Sequence, residues 1–186
     1  VAYPTYRVGA EVVGAKVVAC DDPAEVDAVR PALIWINSPA NPHGAILSLE
    51  QTRAWVDAAR SAGAVLAADE CYGEFGWDSE PVSVLDPRVS GGSPDGLLGV
   101  HSLSKRSNLA GYRAGFVAGD GEVAAQLLAV RKHLGMMVPG PVQAAMAALL
   151  ADRSHVAEQQ ERYRHRRAAL RHALESAGFR IDHSEA

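Results

Sequence analysis

The chain has 186 residues, which at about 150 residues per domain is one domain or slightly more, long enough to bury a core. With 48% hydrophobic and 22% charged residues, its composition is that of a globular protein and excludes disordered, fibrous and disulfide-stapled chains. The net charge of −4 includes no long run of one sign, so neither nucleic acid nor an anionic membrane is the expected partner, and a small molecule is favoured.

Along the chain, short apolar runs alternate with longer segments of helical period, a pattern typical of an α/β fold with a mainly parallel sheet and crossover helices. Between the second and third runs, Ser48 and Gln51 can form a capping box and Gly63 can end the helix. After the last of these runs the pattern is helical until strand character returns at Phe179. The predicted strands are Lys16–Cys20, Leu33–Asn37, Ala64–Ala68, Leu97–Ser102 and Ala114–Ala118, and the predicted late helices are Glu122–Leu134, Gly140–Leu150 and Ser154–Ser176.

No segment has the apolar length of a membrane span. The longest apolar stretches, such as residues 62–68, fall far short of the roughly 20 residues that a span needs, and the first residues lack the charged and apolar regions of a signal peptide. Cys20 and Cys71 are isolated, with no zinc-type spacing to histidine, so both are predicted to be reduced and no metal site is expected. We therefore predict a cytoplasmic protein.

Polar clusters follow three of the predicted strands, at the edge where an open parallel sheet binds its ligands. In the first cluster, residues 37–44, prolines and a glycine make a rigid turn that projects the amide of Asn41. Taken alone, this cluster is explained as a plain turn. In the second, Asp69 directly follows the buried run, where a carboxylate needs a cation or hydrogen-bond donors. A helix-capping role is the alternative for Asp69.

The third cluster, residues 102–113, holds Ser102, Ser104, Lys105 and Arg113. Two hydroxyls, an amine and a guanidinium suit an anionic group next to an amine nucleophile. The chain contains three lysines, and Lys105 is the one in such a setting. The six fixed positions of Ser-x-Ser-Lys-x-x-Asn-x-x-Gly-x-Arg would occur by chance in a chain of this length with odds on the order of one in 10⁵.

In this order and spacing, the three clusters resemble the large domain of the fold-type I aminotransferases, which use pyridoxal 5′-phosphate. Residues 3–6, Tyr-Pro-Thr-Tyr, fit the segment before the first cluster in that family, and the resemblance covers essentially the whole chain. Residues 101–116 and 132–141 look most like the succinyldiaminopimelate transaminases of actinobacterial type, which act in lysine biosynthesis. The resemblance implies the three-layer α/β/α large domain with its mainly parallel sheet, present in part.

The resemblance also implies a role for each candidate side chain. Lys105 is implied as the amine that binds the cofactor aldehyde and then carries the proton of the substrate α-carbon. Asp69 is implied as the partner of the pyridine nitrogen, and Tyr72 and Asn41 as hydrogen-bond donors to the 3′-oxygen of the ring. Phosphate contacts are implied for Ser102, Ser104 and Arg113, and ring stacking for Tyr3, with Tyr6 as the alternative.

The chain departs from the family pattern in the first turn and in its extent. Where the family often has Asn-Pro-Thr-Gly, this chain has His43 in the third position, interpreted as a tolerated turn residue. The family's N-terminal arm, small-residue phosphate loop and C-terminal domain are absent from these 186 residues. We expect residues 1–177 to be the large domain, incomplete at its N-terminal side, and 178–186 to begin the small domain, within an internal fragment of a longer protein.

The sequence thus predicts a transaminase that moves an amino group between glutamate and N-succinyl-2-amino-6-ketopimelate. As in the resembling family, amino acid and 2-keto acid substrates and a homodimer are implied. Because Lys105, Asp69 and Tyr72 serve other reactions on the same scaffold, another class I/II aminotransferase, a β-lyase and a non-catalytic aminotransferase-like sensor stay open. Arg106, next to the motif lysine, is interpreted as part of a surface salt bridge, and the fragment alone is expected to be inactive.

Overall fold

A computed structural model describes residues 2–186 and contains one mixed four-stranded sheet. The strands lie in chain order, β1-β2-β3-β4; the first three run parallel, and β4 is antiparallel to β3. The parallel pairs place the carboxyl ends of β1, β2 and β3 at one edge of the sheet, where the polar clusters follow. The strands are β1 (Leu33–Asn37), β2 (Val65–Asp69), β3 (Leu97–Ser102) and β4 (Gly115–Gly119).

Helices connect and cover the strands. The segments of helical period after β4 form the three late helices. The helices of the described residues are α1 (Pro4–Val12), α2 (Val26–Val29), α3 (Leu49–Ala62), α4 (Pro87–Ser90), α5 (Leu103–Arg106), α6 (Gly121–His133), α7 (Gly140–Ala151) and α8 (Ser154–Ser176). None of these helices is long and apolar enough to cross a membrane.

The crossover helix α3 has both of its predicted ends. The Ser48 hydroxyl accepts from the backbone N–H of Gln51, and the Gln51 side chain accepts from the backbone N–H of Ser48, which completes the capping box. At the other end Gly63 adopts φ +65°, the left-handed conformation that favours glycine. These local signals fix where the helix begins and ends.

The two faces of the sheet are covered by different helices. Alternate strand residues point to opposite faces, and the face of Ile34, Leu66 and Leu97 packs on Trp55 and Val56 of α3. On the other face, the Tyr6 ring of α1 stacks on the Trp35 ring of β1, with centroids 4.9 Å apart. Helices on both faces of a mixed sheet confirm the predicted α/β architecture.

Two predicted strands are absent from the described residues. No strand forms over Lys16–Cys20, because no strand of the sheet lies beside this segment to pair with its backbone groups. The chain after Phe179 is also irregular, as no strand pairs with it. The other predicted strands differ from β1 to β4 by one residue at most. The proposed division into residues 1–177 and 178–186 stays a prediction.

Candidate active site

The carboxylate of Asp69 lies at the end of β2, on the face of the sheet that Tyr6 covers. Its Oδ2 accepts a hydrogen bond of 2.6 Å from the Tyr6 hydroxyl, and its Oδ1 accepts one of 3.1 Å from the backbone N–H of Cys71. Among the described residues, neither donor is a backbone N–H at the start of a neighbouring helix, so the structure does not support the capping alternative.

The groups around Asp69 have perturbed acidities. Burial, and next the hydrogen bond to Asp69, raises the pKa of Tyr6 far above its usual range. Burial, followed by the negative charge of Asp69, raises the pKa of Cys71 to about 12. Burial also raises the pKa of Tyr72, with smaller contributions from Cys71, Asp69 and Tyr3. These groups are therefore neutral donors around a single carboxylate at neutral pH.

Asn37 connects the first turn to Asp69. Its side-chain N–H group donates to the Asp69 carbonyl oxygen at 3.0 Å and to the Pro39 carbonyl oxygen at 3.1 Å, and its oxygen accepts from the backbone N–H of Asn41 at 2.9 Å. The backbone N–H of Ser38 adds a bond of 3.2 Å to the same Asp69 carbonyl. The turn that carries Asn41 is thus attached to the strand that carries Asp69.

The third cluster forms a short turn of helix at the end of β3. The Ser102 hydroxyl accepts from the backbone N–H of Ser104 at 3.1 Å and caps α5. Lys105 follows on α5 with an exposed side chain. Its ammonium is near enough to Cys71 to lower the pKa of that thiol against the larger effect of burial. The structure therefore brings Lys105 to the neighbourhood of Asp69.

The remaining predicted site residues lie at the rim. Arg113 is exposed, adopts φ +52° and donates to the Ala110 carbonyl oxygen at 2.9 Å within its own turn. Tyr3 is 46% exposed and meets Tyr6 edge to face, with centroids 6.1 Å apart. Both side chains are thus accessible to a ligand, and their assigned contacts stay predictions.

Sequence reasoning missed three features of this region. Tyr6 binds the carboxylate of Asp69, although the sequence suggested only an alternative stacking role, and Asn37 received no role at all. Arg106 is buried, whereas a surface salt bridge was expected: its guanidinium lies 3.2 Å from Glu74 and donates to the Leu149 carbonyl oxygen at 2.9 Å. The available signal for Tyr6 was its spacing of three residues from Tyr3, since one helical turn brings both rings to the same face.

The donor set of this sheet edge fits pyridoxal phosphate. The site offers an exposed amine in Lys105, a carboxylate held by two donors in Asp69, and two serine hydroxyls at the start of a helical turn. A carboxylate suits a ring nitrogen, an amine suits an aldehyde, and hydroxyl and guanidinium groups suit a phosphate. These residue types could hold the cofactor.

Comparisons with known proteins agree with this fit. The sequence model of the family described as aminotransferase class I and II matches residues 2–186. A probable aminotransferase of Mycobacterium tuberculosis is 57% identical over 185 residues, which is 100% of this chain and 44% of that protein. The 4-dedimethylamino-4-oxo-anhydrotetracycline transaminase of Streptomyces rimosus is 56% identical over 184 residues, which is 99% of this chain and 51% of that protein.

Among solved structures, the N-succinyldiaminopimelate aminotransferase of Mycobacterium tuberculosis superposes with a TM-score of 0.83 at 27% identity, over 96% of this chain and 50% of that one. The chain thus spans about half the length of the curated relatives it matches. The family match extends over nearly every residue and includes the three polar clusters. The chain belongs to the class I and II aminotransferases, a family of pyridoxal-phosphate-dependent enzymes.

Proposed function

We propose that the protein is a pyridoxal-phosphate-dependent transaminase whose cofactor site is the edge of the sheet described above. The observation that carries the proposal is the placement of the Asp69 carboxylate and the Lys105 amine at the carboxyl ends of neighbouring parallel strands, each close to Cys71. A carboxylate and an amine near each other are the two groups that this chemistry needs from the protein. The family match supports the same assignment.

Each side chain has a task that follows from its chemistry. When bound, pyridoxal phosphate supplies an aldehyde and an electron-withdrawing ring that stabilises negative charge at the substrate α-carbon. Lys105 would hold the aldehyde through its amine, and its Nζ would take the proton from the substrate α-carbon. Arginine could do neither task, because it stays protonated. Asp69, held by Tyr6 and the Cys71 N–H, would be the partner of the ring nitrogen.

The donors and the rim residues orient the cofactor. Tyr72, whose pKa is raised by burial, would donate to the ring oxygen together with Asn41. Tyr3 would stack on the ring. Ser102, Ser104 and Arg113 would bind the phosphate, to which a guanidinium can form two parallel hydrogen bonds.

For the substrates, we propose glutamate as the amino donor and N-succinyl-2-amino-6-ketopimelate as the acceptor. The resemblance of residues 101–116 and 132–141 to succinyldiaminopimelate transaminases supports this pair, as does the solved aminotransferase of that specificity at 27% identity. A second candidate acceptor is 4-dedimethylamino-4-oxo-anhydrotetracycline. The 56% identity to the Streptomyces rimosus transaminase that is named for it favours this ketone.

The test uses the full-length protein loaded with pyridoxal phosphate and follows its visible absorption. Glutamate is expected to convert the absorption band of the lysine-bound cofactor, and the correct keto acceptor is expected to restore it. Each acceptor is added separately after glutamate, with 2-oxoglutarate as the positive control. A band that does not respond to glutamate would contradict transamination and favour a lyase or a sensor. Restoration by the tetracycline ketone alone would replace the first acceptor with the second.

We further propose that the full-length protein is a cytoplasmic homodimer. The dimer follows from the family resemblance, and sedimentation velocity of the full-length protein tests it. A monomer at micromolar concentration would contradict it.

A further inference from the structure

A second pair of titratable side chains lies behind the proposed cofactor site. Glu70 follows Asp69, and His101 precedes Ser102, so the two lie on the sheet face opposite to the cofactor residues. Glu70 Oε2 lies 3.5 Å from His101 Nε2, and the Glu70 side chain is 7% exposed. A β-carbon at position 99 would lie 3.1 Å from His101 Nε2, so Gly99 leaves room for the pair.

Each oxygen of the Glu70 carboxylate is used by a different part of the fold. Oε1 accepts from the Val84 backbone N–H at 2.8 Å and from the Ser83 hydroxyl at 3.0 Å, which holds the long connection between β2 and β3. Oε2 is left to face His101. The His101 ring is itself fixed by stacking on Phe116 of β4, with centroids 4.8 Å apart. The pair therefore joins the ends of β2 and β3 through side chains that have little freedom.

The other charged groups near the pair form a cluster of their own. A cavity of about 430 Å³ beside it is also lined by Glu74, Arg106 and Arg153. Glu74 lies 3.2 Å from Arg106 and 3.0 Å from Arg153, so one carboxylate faces two guanidiniums. Burial raises the pKa of Glu70, and its two hydrogen bonds act in the opposite direction. Within the lining of this cavity, His101 is the titratable side chain that faces Glu70 Oε2.

We propose that Glu70 and His101 are a positioning pair that fixes the distance between the two ends of the cofactor site. Asp69 and Ser102, each adjacent in sequence to one member, are the proposed ring-nitrogen and phosphate residues, so the inference rests on the proposed function. A ligand that reaches both ends of the site depends on that distance, and a ligand that reaches only one end does not.

The experiment is a double-mutant cycle on full-length apoprotein, with the dissociation constant of pyridoxal phosphate as its readout. The variants are His101→Asn, Glu70→Gln and the double variant, each measured with pyridoxal phosphate and with pyridoxal, which lacks the phosphate. Gln can still accept from Val84 and Ser83, so Glu70→Gln removes the charge and keeps the anchor. His133→Asn, at an exposed position on α6, is the matched control.

With pyridoxal phosphate each single variant is expected to weaken binding about tenfold, and the double variant by no more than either, because the two residues act as one unit. With pyridoxal the loss is expected to be about twofold or less, because this ligand does not reach the phosphate end of the site. The control should match the wild type with both ligands. Thermal melting of the apoproteins shows whether a variant has merely lost stability, which would weaken the binding of both ligands equally.

The outcomes separate the two proposals. Wild-type protein that binds no pyridoxal phosphate would overturn the proposed function and the positioning role with it. Wild-type protein that binds, with single variants whose losses add or are equal for pyridoxal phosphate and pyridoxal, would overturn the positioning role alone.

Discussion

Among single residues, Asp69 has the environment that most restricts what the site can do. A carboxylate at the end of a buried strand is costly unless donors reach it, and here Tyr6 and the Cys71 N–H supply them. Burial, with Asp69 as a smaller cause, raises the pKa of Tyr6, Cys71 and Tyr72, so these three groups are protonated at neutral pH.

Tyr6→Phe tests the importance of the hydrogen bond to Asp69. A hydrogen bond to a charged acceptor contributes about 1.5–3 kcal/mol, so we expect kcat of the full-length enzyme to fall at least about tenfold, with the ring stack on Trp35 preserved. Steady-state kinetics measure the effect. The control is Tyr112→Phe, since the Tyr112 side chain is 57% exposed and should lose nothing. Equal kcat in the two variants would show that Tyr6 does not act through Asp69.

The raised pKa of Cys71 predicts a slow thiol. With a pKa of about 12, the thiolate is a small fraction at pH 8, and alkylation by iodoacetamide should be slow. Asp69→Asn removes a negative charge that raises this pKa, so the pKa should fall and alkylation should become roughly threefold to tenfold faster. Mass spectrometry of the Cys71 peptide gives the rates, with the Cys20 peptide as the internal reference. An unchanged rate would mean that burial alone controls the thiol.

The residues of the candidate site could be predicted from the sequence, but several of their contacts could not. Lys105, Asp69 and Asn41 stand out because charged and amide groups directly after apolar runs need partners. The bond from Tyr6 to Asp69 and the burial of Arg106 depend on how α1 and α7 pack against the sheet. Such long-range packing has no local signal in the sequence.

At the scale of elements, α3 shows how local signals fix a crossover. Its capping box and its glycine end place the helix so that Trp55 and Val56 meet the sheet. The parallel pairs on either side of β2 then put three polar turns at one edge. The position of the candidate active site therefore follows from the order and direction of the strands.

Loss of the α3 cap should lower stability by a predictable amount. Ser48→Ala removes the acceptor for the Gln51 N–H, which costs about 1 kcal/mol, so the midpoint of thermal unfolding of the full-length protein should fall. Ser61→Ala, at an exposed position inside the same helix, should leave the midpoint unchanged or raise it slightly. Differential scanning calorimetry measures both. A midpoint that falls equally in the two variants would argue against the cap.

Strands and helices were predicted correctly where the signal is local. The prediction was wrong where a strand needs a partner strand. The apolar runs of β1 to β4 and the caps of α3 are visible in the sequence. Lys16–Cys20 has the same apolar character, yet it forms no strand, because a strand exists only with a neighbour to pair with. The antiparallel direction of β4 likewise depends on the short path from α5 back to the sheet.

At the scale of the whole molecule, the chain brings the proposed cofactor residues to one edge of the sheet. The lysine, the carboxylate and the proposed phosphate residues all lie after neighbouring strands of one sheet. The family match covers residues 2–186, while the relatives are about twice as long. Substrate selection is therefore a property to be measured on the full-length protein.

The most direct test of the account is chemical fixation of the cofactor. Full-length protein is incubated with pyridoxal phosphate and reduced with sodium borohydride, and the labelled peptide is identified by mass spectrometry. The account predicts that the label lies on Lys105 and that Lys105→Ala loses both the label and the visible absorption band. A label on Lys16 or Lys132 in place of Lys105, or no label on any lysine, would contradict it.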